Sequence, residues 1–385
     1  MKILVIGNGF DLAHGLPTSY SNFLDFVRAC GVYHARHGDV EYGPYYDFCE
    51  KYKDTDLFAE IVEHINTDSR LLEYFLAIYE NRCVDGKRGW IDFESEISTI
   101  IQALDVARKV LIEHEHEGQI TLPPDVDSIA NEVLLVGENG EGRGNTFPED
   151  FKEGKVDALL DGLNRLTRLL EIYLIYYVDS IEVTKRLPEC EGQKYTHILS
   201  FNYTDTYHRL YDPKREAKYC FIHGKAKDDS NLTDCNMVLG IDEYLDQWHR
   251  DSENCFIWFK KFFQRINKDT ETEYEDWCRQ IEENAVRFQK ANPPQNDLYI
   301  YGHSLDVTDK DILSRLIQGK HTTTYIFYYS KADKTKKIEN LVKIIGEAEL
   351  IQRTRGSKRT IHFVETGKVP ESVIDKDEAA IKALI

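Results

Sequence analysis

The sequence has no Cys-x-x-Cys pair. Its eight cysteines stand at 30, 49, 83, 190, 220, 235, 255 and 278, too scattered for a zinc knuckle or a thioredoxin-type redox turn. In a chain of this size they read as reduced, small apolar side chains. No run of about 18 apolar residues occurs, which argues against a transmembrane helix and against a membrane partner. The opening residues carry no cationic stretch followed by a long apolar segment and a cleavage site, so a cytoplasmic chain is expected. An excess of cations is missing too. Lys and Arg number 48 against 67 Asp and Glu, a net charge of −19. Nucleic acid is therefore a poor general partner, since no surplus cations are available to displace phosphate counterions. No internal repeat or low-complexity tract is present.

What remains is an ordinary folded composition, 42% hydrophobic and 30% charged. At 385 residues the chain exceeds the usual size of one domain, so either two cores or one core with a large insertion is expected. Ile3–Ile6 is a short, wholly apolar run ending at a glycine, the pattern of a strand covered on both faces. Tyr20–Val27 then has helical apolar spacing. From about Tyr45 to Lys194 apolar residues recur at three- and four-residue steps: Leu57, Ile61 and Ile65; Leu72, Phe75 and Tyr79; Ile97, Ile101 and Leu104; Leu159, Leu163, Leu166 and Leu170. These are amphipathic helices with no clear strand between them. The glycine-rich stretch Val136–Asn145 is a loop or turn. Glu113–Glu117 alternates Glu and His, but adjacent helical residues diverge by about 100°, so a solvated helix end is the better reading than a metal site.

Strand-like runs return at Thr196–Phe201, Tyr219–His223, Met237–Ile241, Asp297–Tyr301, Thr323–Tyr329 and Arg359–Val364. Helical stretches intervene at Phe256–Ile266, Glu273–Lys290, Asp309–Ile317 and Lys336–Ile345. Strands alternating with helices imply a parallel sheet. The expected architecture is an α/β, Rossmann-like domain built from residues 1–45 and 195–385, split by an all-helical insertion over 46–194.

Four segments follow predicted strands and converge on one sheet edge, where open α/β sheets bind ligands. Gly7-Asn8-Gly9-Phe10-Asp11 links a first strand to a first helix, and glycines there let a phosphate approach backbone N–H groups. The full dinucleotide fingerprint is not matched, because its third glycine is absent. Asp11 would repel a phosphate unless it met a hydroxyl, a base or a metal; a helix N-cap is its structural alternative. Asn202, within Ser200-Phe201-Asn202-Tyr203-Thr204-Asp205, can orient a water or a sugar hydroxyl, or simply form a turn. His223 precedes Gly224 and can act as a base near neutral pH; a histidine alone is more often structural. Gly302-His303-Ser304-Leu305 supplies a small, hydroxyl-bearing loop.

The run from Gly7 to Tyr20, Gly-Asn-Gly-Phe-Asp-Leu-Ala-His-Gly-Leu-Pro-Thr-Ser-Tyr, resembles the opening of the AbiH family, bacterial proteins of phage abortive infection. Trp90-Ile91-Asp92-Phe93-Glu94, Ser200–Asp205, His223-Gly224 and Gly302–Leu305 resemble the same family in order. More distantly, the arrangement is similar to the sirtuin-like NAD-binding fold. That resemblance implies NAD or a related nucleotide as ligand, with Asn202 placing water and His223 as the catalytic histidine. It further implies a nucleotide-binding set of Gly7, Asn8, Gly9, Phe10, Asp11, Gly302, His303 and Ser304. Asn8, Phe10 and Asp11 depart from the usual sirtuin-like turn, and the missing cysteine pairs argue against protein deacylation.

The resulting expectation is an anti-phage effector that cleaves the nicotinamide–ribose bond of NAD or a related nucleotide. Two other readings compete. Asp11, Asp205, Asp242 and Glu243 could hold Mg²⁺ for a nuclease or phosphohydrolase. Alternatively, the chain could sense a nucleotide or phage protein without turnover, Trp90 and its aromatic neighbours forming the partner surface. The expected partners are a nucleotide, a phage-derived trigger and a second copy of the chain. Asp92 and Glu94 could reach into the cleft or stabilise the start of a helix.

Overall fold

The computed structural model describes residues 1–67, 69–83, 91–114, 121–134, 156–228, 231–241, 256–288 and 294–367. They form two compact units. The first comprises Met1–Thr18, Ile181–Lys225 and the chain from Thr270; the second comprises Ser19–Ser180 and Ala226–Asp269.

The first unit is built on six strands: β1 (Lys2–Ile6), β2 (His197–Ser200), β3 (Lys218–Phe221), β4 (Asn296–Tyr301), β5 (Thr322–Tyr328) and β6 (Ile361–Glu365). All neighbouring pairs are parallel, in the order β3-β2-β1-β4-β5-β6. This is an open, Rossmann-like sheet, and its order reverses between β1 and β4. The period-two alternation of a strand explains the two cores. Ile3 and Val5 face one side, joined by Leu199, Leu298, Ile300 and Ile326 beneath Trp277, Ile281, Leu313 and Leu341. Leu4 and Ile6 face the other, joined by Phe10, Tyr207, Tyr299, Tyr301, Tyr325 and Phe327. Each fully buried aliphatic side chain contributes roughly 1.5–3 kcal/mol, which is why the strands read as unbroken apolar runs.

The second unit is helical. Phe23, Phe26, Phe75, Phe93 and Tyr173 fill its core, each no more than 1% exposed, and Phe75 stacks on Phe93 with centroids 4.5 Å apart. Those aromatics are core, as their spacing suggests. The helix Tyr20–Ala35 packs on the helices Tyr46–Tyr52, Asp56–Asn66 and Arg70–Arg82, so the helical unit starts at Ser19. Conversely, Leu187 and Cys190 lie in the aromatic core of the sheet unit. Helical periodicity marks which face is apolar but not which partner covers it. Among the described residues no helix is long and apolar enough to cross a membrane.

One expected strand is absent. Met237–Ile241 is buried but makes only an isolated bridge, Ile241 with Lys260. At Leu239 the backbone is satisfied by a side chain instead. Gln264 accepts from Leu239 N at 3.1 Å through Oε1 and donates to Leu239 O at 2.9 Å through Nε2. Asp92 proves to be a helix N-cap, its Oδ1 accepting from Glu94 N at 3.1 Å, while Glu94 pairs with buried Lys261 at 2.7 Å. Trp90, Val136–Asn145, Glu115–Glu117, Asp242 and Glu243 lie outside the described residues.

Candidate functional site

Strand register defines the site. Ile6 pairs with Ser200 and with Tyr301, and Ser200 pairs with Phe221. The residues that follow, Gly7, Phe201, Ile222 and Gly302, therefore leave the sheet at one level, on its carboxyl rim.

The first and fourth of these exits are in backbone contact. Gly7 N donates to Tyr301 O at 3.1 Å and Gly9 N to Gly302 O at 2.8 Å. A Cβ on Gly7 would stand 2.8 Å from His303 Cα, one on Gly9 2.8 Å from Gly302 Cα, and one on Gly302 2.1 Å from Phe10 N. Gly302 also has φ +70°. The three glycines thus serve a close crossing of two turns, and two N–H groups of the glycine turn are taken up by the β4 exit. Asn8 faces solvent and accepts from Thr18 Oγ1 at 2.6 Å. The fully buried ring of Phe10 packs against His14, Tyr207, Tyr211 and Tyr301.

Asp11 is not the N-cap of the helix Asn8–Ala13; Gly7 holds that position. Asp11 is instead 1% exposed, and its Oδ2 accepts from Thr204 Oγ1 at 2.5 Å and from Asn202 Nδ2 at 3.2 Å. Asn202 Nδ2 also donates to Gly7 O at 3.0 Å. These hydrogen bonds on one buried side chain tie the β1 turn to the β2 exit. His14 adds a second clamp. Its Nδ1 donates to Phe10 O at 2.7 Å and its Nε2 accepts from Tyr211 Oη at 2.8 Å, while Tyr211 Oη accepts from Leu187 N. Burial, reinforced by nearby Lys185 and Arg186, outweighs the Phe10 bond and lowers the His14 pKa, keeping the ring neutral.

The third feature is a pair of histidines on one carboxylate. His223 Nε2 lies 3.0 Å from Asp309 Oδ1, and His303 Nε2 lies 3.3 Å from Asp309 Oδ2. All three residues are at most 6% exposed. Leu305 N donates to His303 Nδ1 at 2.9 Å. Nδ1 therefore carries no proton, and the proton of neutral His303 sits on Nε2, toward Asp309. Toward an ionised Asp309, which can only accept, a neutral His223 would present Nε2–H and keep its lone pair on Nδ1. The Phe201 ring packs edge-on against both imidazoles, with centroids 5.4 Å from His223 and 4.3 Å from His303. The loop carrying His303 is held by the helix Lys331–Ile345: Lys337 Nζ donates to His303 O at 2.8 Å and Asn340 Nδ2 to Ser304 O at 3.0 Å. Ser304 itself is exposed.

The rim thus joins Asn202 with Gly7 and Asp11, and His223 with His303. Phe201, immediately before Asn202, touches both imidazoles. Asp309 was not foreseen; it reads in the sequence as the start of a helix. Of the carboxylates proposed for Mg²⁺, the two among the described residues, Asp11 and Asp205, have other partners. Asp11 is bound as above, and Asp205 lies 2.5 Å from Lys225 Nζ and 3.4 Å from both Arg215 and His208. Among the described residues one group has metal-ligand proximity, Cys220, Glu271 and Glu273. Burial pushes the Cys220 thiol up to about 12 and raises the Glu271 carboxyl, so a metal bound there would have to displace the thiol proton.

A family model described as "Bacteriophage abortive infection AbiH" matches residues 3–329, a span that takes in β1 to β5 and every rim residue above. No curated protein matches the chain.

Proposed function

The chain belongs to the bacteriophage abortive infection AbiH family, and from that premise we propose that it acts against phage by hydrolysing the nicotinamide–ribose bond of NAD or a related nucleotide. The observation that carries this reading is the His223–Asp309 contact of 3.0 Å at the carboxyl rim. A carboxylate behind an imidazole fixes its tautomer and stabilises the imidazolium that forms when the ring takes a proton. His223 Nδ1 is the base toward a ribose hydroxyl. The side-chain carbonyl of Asn202 accepts from the attacking water, its amide nitrogen being engaged with Gly7 and Asp11. Asp11 and Asp309 supply negative charge near a sugar that becomes oxocarbenium-like. Asn8 and Ser304, exposed on either side of the Gly9–Gly302 crossing, are the groups of the two turns that meet the nucleotide.

Burial gives the reading its regulation. Asn202, His223 and Asp309 are 6%, 4% and 6% exposed, so substrate reaches them only after a rim loop moves. A phage-derived trigger that opens the loop would confine NAD loss to infected cells.

The test is nicotinamide release by purified wild type and His223→Ala, each with and without extract of phage-infected cells. Release by wild type alone, in the presence of the extract, is expected. Absence of any His223-dependent loss of NAD or a related nucleotide in all conditions would overturn the assignment.

A further inference from the structure

In the helical unit, Cys30 on the helix Tyr20–Ala35 and Cys49 on the helix Tyr46–Tyr52 bring their sulfurs to 3.8 Å. Both are free thiols and both are buried, at 0% and 1% exposure. Two features set them apart from the other buried cysteines. Cys49 lines a cavity of about 350 Å³, together with Asp25, Arg28, Val32, Tyr33 and Tyr46, a space beside the pair that a small oxidant can enter. Each sulfur is also the other's hydrogen-bond partner.

We propose that Cys30 and Cys49 form an oxidative modification site, closed by a hydroperoxide into a disulfide that joins the two helices. A disulfide needs its sulfurs at about 2.05 Å, so the pair must close by about 1.8 Å. The chemistry balances in two steps. Cys49 thiolate attacks the peroxide O–O bond, giving Cys49 sulfenic acid, and the hydroxide or alkoxide expelled takes the proton lost by the Cys49 thiol and leaves as water or an alcohol. The Cys30 sulfur then attacks the sulfenic sulfur. The S–S bond forms, and hydroxide leaves with the Cys30 proton as a second water. The peroxide is reduced by two electrons and the two thiols are oxidised.

Cys49 reacts first because it, and not Cys30, lines the cavity. The hydrogen-bond contact between the two sulfurs holds the Cys49 thiol below its ordinary pKa, against the effect of burial, whereas the Cys30 thiol is pushed well above it. The thiolate is the reactive form. By contrast, burial pushes Cys235 up to about 12 and Cys278 up to about 11, and neither has a neighbouring thiol to resolve a sulfenic acid among the described residues.

The experiment treats the full native chain with hydrogen peroxide, alkylates remaining thiols after denaturation, and maps peptides under non-reducing conditions. A dithiothreitol-sensitive peptide linking Cys30 to Cys49 is expected, with alkylatable thiols falling from eight to six if only this pair closes. The Cys30→Ala variant should stop at Cys49 sulfenic acid, trapped by dimedone, and Cys49→Ala should leave Cys30 unmodified. Full alkylation of both cysteines in treated wild type would overturn the proposal. So would oxidation of Cys49 to sulfinic acid with Cys30 still free. The wild-type map decides even where a variant fails to fold.

Discussion

Gly9 and Gly302 meet backbone to backbone. The Gly9 N–H donates to Gly302 O at 2.8 Å, and the Gly302 Cα would stand 2.8 Å from any Cβ added to Gly9. This crossing joins the exits of β1 and β4 at the point where the strand order reverses, so both turns depend on the absence of side chains at the same place.

Gly302→Ala should therefore cost far more than an ordinary glycine substitution. The new Cβ would lie 2.1 Å from Phe10 N, on top of the strain of φ +70°. Gly15 separates the two effects, since it has φ +82° with nothing within 4 Å of an added Cβ. Gly15→Ala should lose about 1 kcal/mol from backbone strain alone. Gly302→Ala should lose more than about 4 kcal/mol, a large share of a domain's stability. Urea denaturation of the two variants measures the difference, and equal losses would mean the crossing can relax.

Asp309→Asn tests the histidine pair by proton bookkeeping. Leu305 N fixes His303 with Nε2–H toward residue 309, so the asparagine must turn its oxygen there. Its NH₂ then faces His223 Nε2, which has to become an acceptor, moving the His223 proton to Nδ1. The fold is retained but the base is lost. Nicotinamide release should fall by about a thousandfold or more, as for other tautomer-reversed imidazoles, while the urea midpoint moves little. Nitrogen NMR of the His223 ring checks the tautomer without reference to any activity. An unchanged His223 tautomer would contradict the assigned hydrogen-bond pattern.

How far all this is legible in the sequence depends on what kind of interaction sets each feature. Strands buried on both faces advertise themselves as apolar runs, and β1, β2, β4 and β5 were readable to within a residue or two. The rim was readable because glycines and small polar residues follow those runs. Asp309 was not, because two acids flank Val307-Thr308 with similar claims. Asp306 takes the cap, accepting from Thr308 N at 3.1 Å, while Asp309 turns to the histidines; only the tertiary position of His223 and His303 distinguishes them. The same holds for Asp11, whose Asn202 and Thr204 donors stand about 190 residues away in the chain. Met237–Ile241 misleads for a related reason. An apolar run records burial, and burial does not say whether a neighbouring strand or a side chain satisfies its backbone.

That last point makes Gln264 a sharp target. Gln264→Leu keeps its volume but leaves Leu239 N and Leu239 O buried without the partners they have at 3.1 and 2.9 Å. With about 1–3 kcal/mol for each orphaned group, the variant should lose about 2–6 kcal/mol. Gln264→Glu keeps the acceptor for Leu239 N but sets an oxygen against the carbonyls of Leu239 and Trp258. Its stability relative to wild type should recover as acid protonates the new carboxyl and restores a donor. Thermal melts across pH would show that recovery; a loss in Gln264→Glu that does not shrink in acid would refute the donor assignment.

His197 should impose a pH dependence of its own. The side chain is buried against Trp277, ring centroids 4.8 Å apart, and burial, aided by Lys218 and the N-terminal ammonium, lowers its pKa to about 4. An unfolded histidine titrates near 6.5. Between those values the unfolded chain binds a proton that the folded chain refuses, so stability falls as the pH drops through about 6.5 and levels off below about 4. His197→Phe keeps a ring against Trp277 and removes the titration. Other buried histidines, such as His14, act in the same direction in both proteins and cancel in the comparison. Going from about pH 7.5 to about pH 4.5, the wild type should lose about 2 kcal/mol more than the variant. Parallel urea midpoints in the two proteins would place the His197 proton on the folded state after all.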